Sequence, residues 1–153
     1  MDAGRYTQRL QNECSEKAQA ILGSTGSAQK EIAALLETIC SSPAASSRPG
    51  EYIEAHPQEY QRLLEYGGEA LRYLFREFLN GGQTDLRGQV MRIAMDDLIG
   101  GEALRLYAAT GQEYFDAWLE NAKRTQSQEG DEAMEQYHPN AWLLLQMEQQ
   151  SYS

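Results

Sequence analysis

Histidine and cysteine are scarce in this chain: two of each, His56 and His138, Cys14 and Cys40. A structural zinc site takes four such ligands at regular spacing, so none is expected. Glu135 and His138 have the Glu-x-x-His spacing of di-iron bundles, but that site needs a second copy and two further glutamates. Only one copy is present and Pro139 follows it directly, so the sequence predicts no metal and no other cofactor. A hairpin turning near residues 23–26 sets Cys14 opposite a position about one turn from Cys40. Two free core thiols fit that register, whereas a disulfide needs it to shift.

Positive charge is also in short supply. Thirteen Lys and Arg stand against 23 Asp and Glu, a net charge of −10. Phosphate binding needs a basic face, so nucleic acid is not an expected partner. Anionic membrane surfaces are disfavoured for the same reason, and basic partners are tolerated. No apolar run approaches the roughly 20 residues of a membrane span. The opening MDAGRYTQRLQNECSEK lacks an apolar h-region, so no signal peptide is expected in it. A soluble cytoplasmic protein and an extracytoplasmic one with its leader removed read alike here. There is no P-loop, dinucleotide fingerprint, G-x-S-x-G, EF-hand loop or H-E-x-x-H, and no catalytic constellation. The four prolines suit loops or helix starts, and no alternating run bounded by turns predicts a strand.

What remains is helical periodicity. In residues 69–79, Ala70, Leu71, Leu74, Phe75, Phe78 and Leu79 share one side at about 100° per residue. Arg72, Tyr73, Arg76 and Glu77 share the other. Asn80-Gly81-Gly82 stops this helix, and Thr84 or Asp85 caps the next, over 86–99. Leu86, Val90, Met91, Ile93, Ala94, Met95, Leu98 and Ile99 cover most of its circumference, leaving Gly88, Gln89, Arg92 and Asp96 as a polar strip. It is expected to be the innermost helix; alternatively its wide apolar surface forms a homodimer.

Asp97 falls within the apolar arc of Leu86, Val90, Ile93 and Ala94. A buried carboxylate must be paired or hydrogen-bonded. It is either a structural partner of an Arg, a Tyr or a helix N-terminus, or a functional acid in a pocket.

The other segments are also helical. Residues 4–21 and 27–40 pair as an N-terminal arm ending near residue 42, and 43–50 is a loop or hinge. The main core spans 51–150, with a helical turn at 51–55 and a helix opening at His56-Pro57. Further helical segments follow at 102–109, 112–123, after Asp131 and after His138-Pro139. The expectation is one all-α domain, a compact array or bundle of about seven to eight short helices arranged as helical hairpins.

GGEALR occurs at 67–72 and again at 100–105. Leu79, Asp85-Leu86-Arg87, Val90, Ala94 and Leu98, followed by Gly100-Gly101-Glu102-Ala103-Leu104, resemble HEAT-like helical repeats over roughly residues 60–110. Residues 51–91 are also similar to a bacterial helical domain of lipoprotein-like proteins and of the extracytoplasmic parts of receptor-type metallopeptidases. That likeness rests on Glu51-Tyr52-Ile53, His56, Glu59-Tyr60 and the 81–84 turn. It implies an accessory or sensing role.

The functional expectation is therefore a non-catalytic module that binds a protein or peptide, basic by charge complementarity. Its contact residues are expected to be Arg72, Tyr73 and Arg76, because Tyr and Arg are enriched at binding hot spots. The alternative is a ligand-binding or enzymatic helical domain with a pocket near Asp97.

Overall fold

The computed structural model describes residues 26–43 and 48–151, and among these every regular element is helical. The expected helix over 4–21, Cys14 and residues 44–47 of the expected 43–50 loop lie outside the described residues, and Pro49 and Gly50 of that loop open a helix. Eight α-helices are seen: α1 (Gly26–Ile39), α2 (Pro49–Ala55), α3 (Pro57–Glu65), α4 (Gly68–Asn80), α5 (Leu86–Ile99), α6 (Gly111–Glu129), α7 (Asp131–Tyr137) and α8 (Pro139–Ser151), with one 3-10 turn at Gly100–Glu102. No described helix is long and apolar enough to cross a membrane.

Internal contacts divide the chain into two compact units. Residues 28–116 form the first; 26–27 and 117–151 belong to the second. In the first, α5 packs against α2, α3 and α4. Val90, Met91, Ala94 and Met95 are wholly buried there, so the apolar surface that the alternative dimer would use is largely spent inside the unit. The α4 stripe is buried as its spacing predicts except at Leu79, which is half-buried, and Phe78 stacks on Phe115 at 4.9 Å between ring centroids. Ile32, Leu36 and Ile39 of α1 are also buried. In the second unit α7 packs on α8, and Lys123 Nζ pairs with Glu148 Oε2 at 3.0 Å.

Both His-Pro junctions adopt one backbone conformation: φ −131°, ψ 59° at His56 and φ −134°, ψ 59° at His138. The residue before proline is kept out of the helical region, so each histidine ends one helix and starts the next. Its amide donates back, to Ile53 or Met134, and its carbonyl accepts from Tyr60 or Trp142.

The two GGEALR copies begin alike and then part. Gly67 (φ 55°, ψ −120°) and Gly100 (φ 59°, ψ −119°) share a left-handed conformation that a Cβ would strain. The first copy runs on into α4 because apolar residues recur every three or four positions after it. The second makes a single 3-10 turn, closed by Ala103 N–H donating to the Gly100 carbonyl at 3.0 Å. Residues 103–108 then follow no helix or turn. The expected helix over 102–109 is thus replaced, after the 3-10 turn, by chain without regular structure. The residues there are Leu104, Arg105, Leu106, Tyr107 and Ala108, whose apolar spacing is two rather than three or four.

Candidate functional site

A polar constellation in the first unit gathers around the C-terminal end of α5. Asp96 and Asp97, about 100° apart on the helix, each accept from a tyrosine of a different neighbour. Tyr60 of α3 donates to Asp97 Oδ2. Tyr114 of α6 donates to Asp96 Oδ1 at 2.6 Å, and its oxygen accepts the Leu104 amide at 3.0 Å. Arg92 completes the group: its Nε lies 3.5 Å from Asp96 Oδ2 and its guanidinium 4.4 Å above the Tyr114 ring.

Burial is the main influence on Asp96, Tyr114 and Tyr60. It pushes the Asp96 carboxyl above its usual range, against the Tyr114 hydrogen bond and Arg92, which favour the charged form. Burial, then the bond to Asp96, pushes Tyr114 up to about 12. Burial and the bond to Asp97 likewise raise Tyr60. Both tyrosines are therefore donors at neutral pH, suited to tying helices rather than to accepting a proton.

A titration should show this. In the unfolded chain Tyr114 ionises near 10, in the native chain near 12. The native state therefore holds the proton longer, so this group's stabilisation is complete below pH 10 and is lost as pH rises through 12. Tyrosinate absorbance is expected to show a late step coincident with loss of helical signal. In Tyr114→Phe that step should shrink; an unchanged curve would refute the assignment.

The sequence-expected residues are distributed differently. Asp97 is exposed, not buried. The buried arc of α5 runs through Val90, Ala94, Met91, Met95, Gly88 and Ile99. Leu86 and Ile93 are only half-buried, so Asp97 beside them lies at the solvent margin. Arg72, expected on the surface, is 6% exposed. It borders Phe75 and Leu79 on α4, and its guanidinium lies against Gly68. Tyr73 is half-buried, its hydroxyl accepting from Arg87 Nη2 at 2.8 Å, while Arg87 also pairs with Glu77 at 3.1 Å. Only Arg76 of the three is fully on the surface. Replacing Tyr73 and Arg76 together by Ala should therefore lower the melting temperature by several degrees, through Tyr73. Arg76→Ala alone should leave it in place.

Other candidates are occupied by structural contacts. The Gln83 amide, in the 81–84 turn, donates to Gln112 Oε1 at 3.1 Å. His138 meets Glu129 at 3.3 Å, not Glu135. His56 Nε2 lies 3.0 Å from Ser42 Oγ but also 3.2 Å from the Ser42 carbonyl, and Nδ1 is 3.7 Å from Glu59. With acceptors on both sides, the ring tethers the loop rather than activating the serine. Cys40 is a free, half-buried thiol whose pKa burial raises. Among the described residues no group of three His, Cys, Asp or Glu could hold a metal ion.

What sequence reading missed is residues 103–109. Leu104, Leu106 and Ala108 are half-buried; Arg105, Tyr107 and Ala109 are exposed, and Tyr107 is 92% exposed. The alternation is present in the sequence, but GGEALR by its likeness to the first copy predicts a helix start. The ends of the segment are fixed, by the Leu104 amide on Tyr114 and by the Ala109 amide donating to Glu113 Oε2 at 3.0 Å.

No protein-family model, curated protein or solved structure matches this chain. Its own geometry therefore carries the functional reading.

Proposed function

We propose that the chain is a non-catalytic protein-interaction module of HEAT-like helical hairpins, with its binding surface on residues 103–109. The observation that carries this is Tyr107, a large aromatic 92% exposed on a stretch fixed at both ends. Tyr and Arg are the residue types that dominate binding hot spots, and Arg105 stands two positions away on the same side. A tyrosine presented on ordered chain loses little conformational freedom when a partner covers it. The net charge of −10 favours a basic partner. An accessory or sensing role is in keeping with the resemblance of residues 51–91. The alternative built on Asp97 has lost its buried acid, since that residue is exposed and Tyr60 occupies one of its oxygens.

Photocrosslinking tests the assignment. The full chain carrying Tyr107→p-benzoylphenylalanine, irradiated in lysate of the source cells, is expected to give one discrete adduct. The same substitution at Arg76, exposed on α4, is expected to give none. An adduct at Arg76 alone would return the surface to α4, and no adduct at either position would reject the interaction reading.

A further inference from the structure

We infer that the outer edge of residues 105–107 takes up an extended, basic peptide as an added strand. This rests on the interaction reading above and specifies its partner by chemistry.

Backbone groups provide the first argument. Among the described residues, no hydrogen bond involves Arg105, Leu106, Tyr107 or Ala108. A run of extended chain with unclaimed amides and carbonyls is the template for strand addition. Residues on either side are tied down by Ala103 to Gly100, Leu104 to Tyr114 and Ala109 to Glu113. The run between them is held at both ends, and its exposure alternates residue by residue as that of extended chain does.

Parity gives the second argument. Along extended chain, successive residues turn their N–H and C=O groups to opposite edges. The Leu104 amide faces Tyr114 of α6, so those of Leu106 and Ala108 turn the same way. Arg105 and Tyr107 then offer theirs on the other edge, which Glu113 closes at Ala109. Their side chains are the exposed ones of the alternation, so a partner's alternate side chains would rest beside Tyr107.

Charge selects the occupant. A second copy of this chain would bring another net charge of −10 against the first. An alternating peptide of Lys and a β-branched residue brings opposite charge and an extended preference.

The test uses the purified full chain and a fluorescein-labelled decapeptide of alternating Lys and Val. A second probe is the same peptide with alternate backbone nitrogens methylated, which keeps charge and side chains but removes pairing donors. Fluorescence anisotropy is expected to show saturable binding, at least tenfold weaker for the methylated probe. Amide exchange is expected to slow at least tenfold at Arg105 and Tyr107 on binding but not at Leu106. Arg105→Pro removes an amide that bonds nothing in the protein, so melting should be unchanged while binding falls at least tenfold. That loss would run against the charge effect, since removing a cation by itself favours a basic peptide. Equal affinity for both probes, or exchange protection without the alternation, would overturn strand addition. If neither probe binds while the Tyr107 crosslink persists, strand addition fails and the interaction reading stands. Loss of both rejects both.

Discussion

Gly111→Ala is expected to cost the protein about 3–5 kcal/mol, combining overpacking with displaced hydrogen bonds. On the scale of this chain that lowers the melting temperature by roughly 10 °C. Helix propensity alone argues the other way, since Ala is favoured over Gly by about 1 kcal/mol in a helix. The sign is set by space. A Cβ at Gly111 would lie 2.5 Å from the Gly88 carbonyl carbon and nearer still to its oxygen. These are backbone atoms of α5, with no flexible end to swing aside. Relief requires moving the start of α6, and three hydrogen bonds hold it. The Gln112 amide donates to the Gln83 carbonyl at 3.0 Å, the Gln83 amide to Gln112 Oε1 at 3.1 Å, and Gln112 Nε2 to the Phe78 carbonyl at 3.0 Å. Gly88→Ala should behave similarly, its Cβ falling 2.8 Å from the Gln83 carbonyl carbon. Gly50, in α2, has nothing within 4 Å of such a Cβ, so Gly50→Ala should be neutral or slightly stabilising. Thermal unfolding followed by helical circular dichroism separates the cases. A Gly111→Ala protein melting within 2 °C of wild type would refute the backbone contact, given the roughly 2–4 °C expected per kcal/mol.

Where a single helix decides the outcome, the sequence was readable. The α4 stripe and its glycine stop, the His-Pro breaks and the all-α class all follow from spacing and turn chemistry within a few residues. Where a neighbour decides, it was not. Gly88 was read as part of a polar strip, although a glycine inside an apolar helical pattern also signals close backbone approach. That α6 makes that approach through Gly111 is a pairing across the chain that no local pattern encodes. The α5 circumference is apolar nearly all round, so periodicity alone could not tell which arc the neighbours would cover. The choice fell on Met91 and Met95 rather than on Leu86 and Ile93, and this left Asp97 outside. Arg72 stood one position off the stripe, where a long side chain can bury its stem. The extended segment was masked by an identical hexapeptide whose first copy is helical. Yet Thr110-Gly111-Gln112-Glu113 carries the T-x-x-E signature of a helix start. In the structure the Glu113 amide donates to Thr110 Oγ1 at 3.0 Å while its carboxylate reaches back to Ala109. That signature puts the helix start after Ala109 and leaves the residues before it to another conformation.

The extended segment and the folding energy meet at one hydroxyl. Tyr114→Phe keeps the ring, which is 0% exposed, and keeps the guanidinium of Arg92 above it. It removes only the oxygen that accepts the Leu104 amide and donates to Asp96. One lost bond is to a carboxylate, and two partners are left unsatisfied, so the cost is expected at about 2–4 kcal/mol. Tyr60→Phe removes a chemically identical bond, but its acceptor Asp97 is exposed and water can replace the donor. That variant should cost less than about 1 kcal/mol. A double-mutant cycle with Asp96→Asn should give a coupling of roughly 1–2 kcal/mol for the Tyr114 pair. Amide exchange adds a readout that stability alone does not supply. At matched global stability, Leu104 should exchange at least tenfold faster in Tyr114→Phe, because the native bond that held it is gone. If Tyr114→Phe and Tyr60→Phe cost the same, burial is not what gives the Asp96 pair its strength. If Leu104 exchange is unchanged, the segment carrying Tyr107 is held by something other than Tyr114, and the fixed presentation of its outer edge loses its anchor.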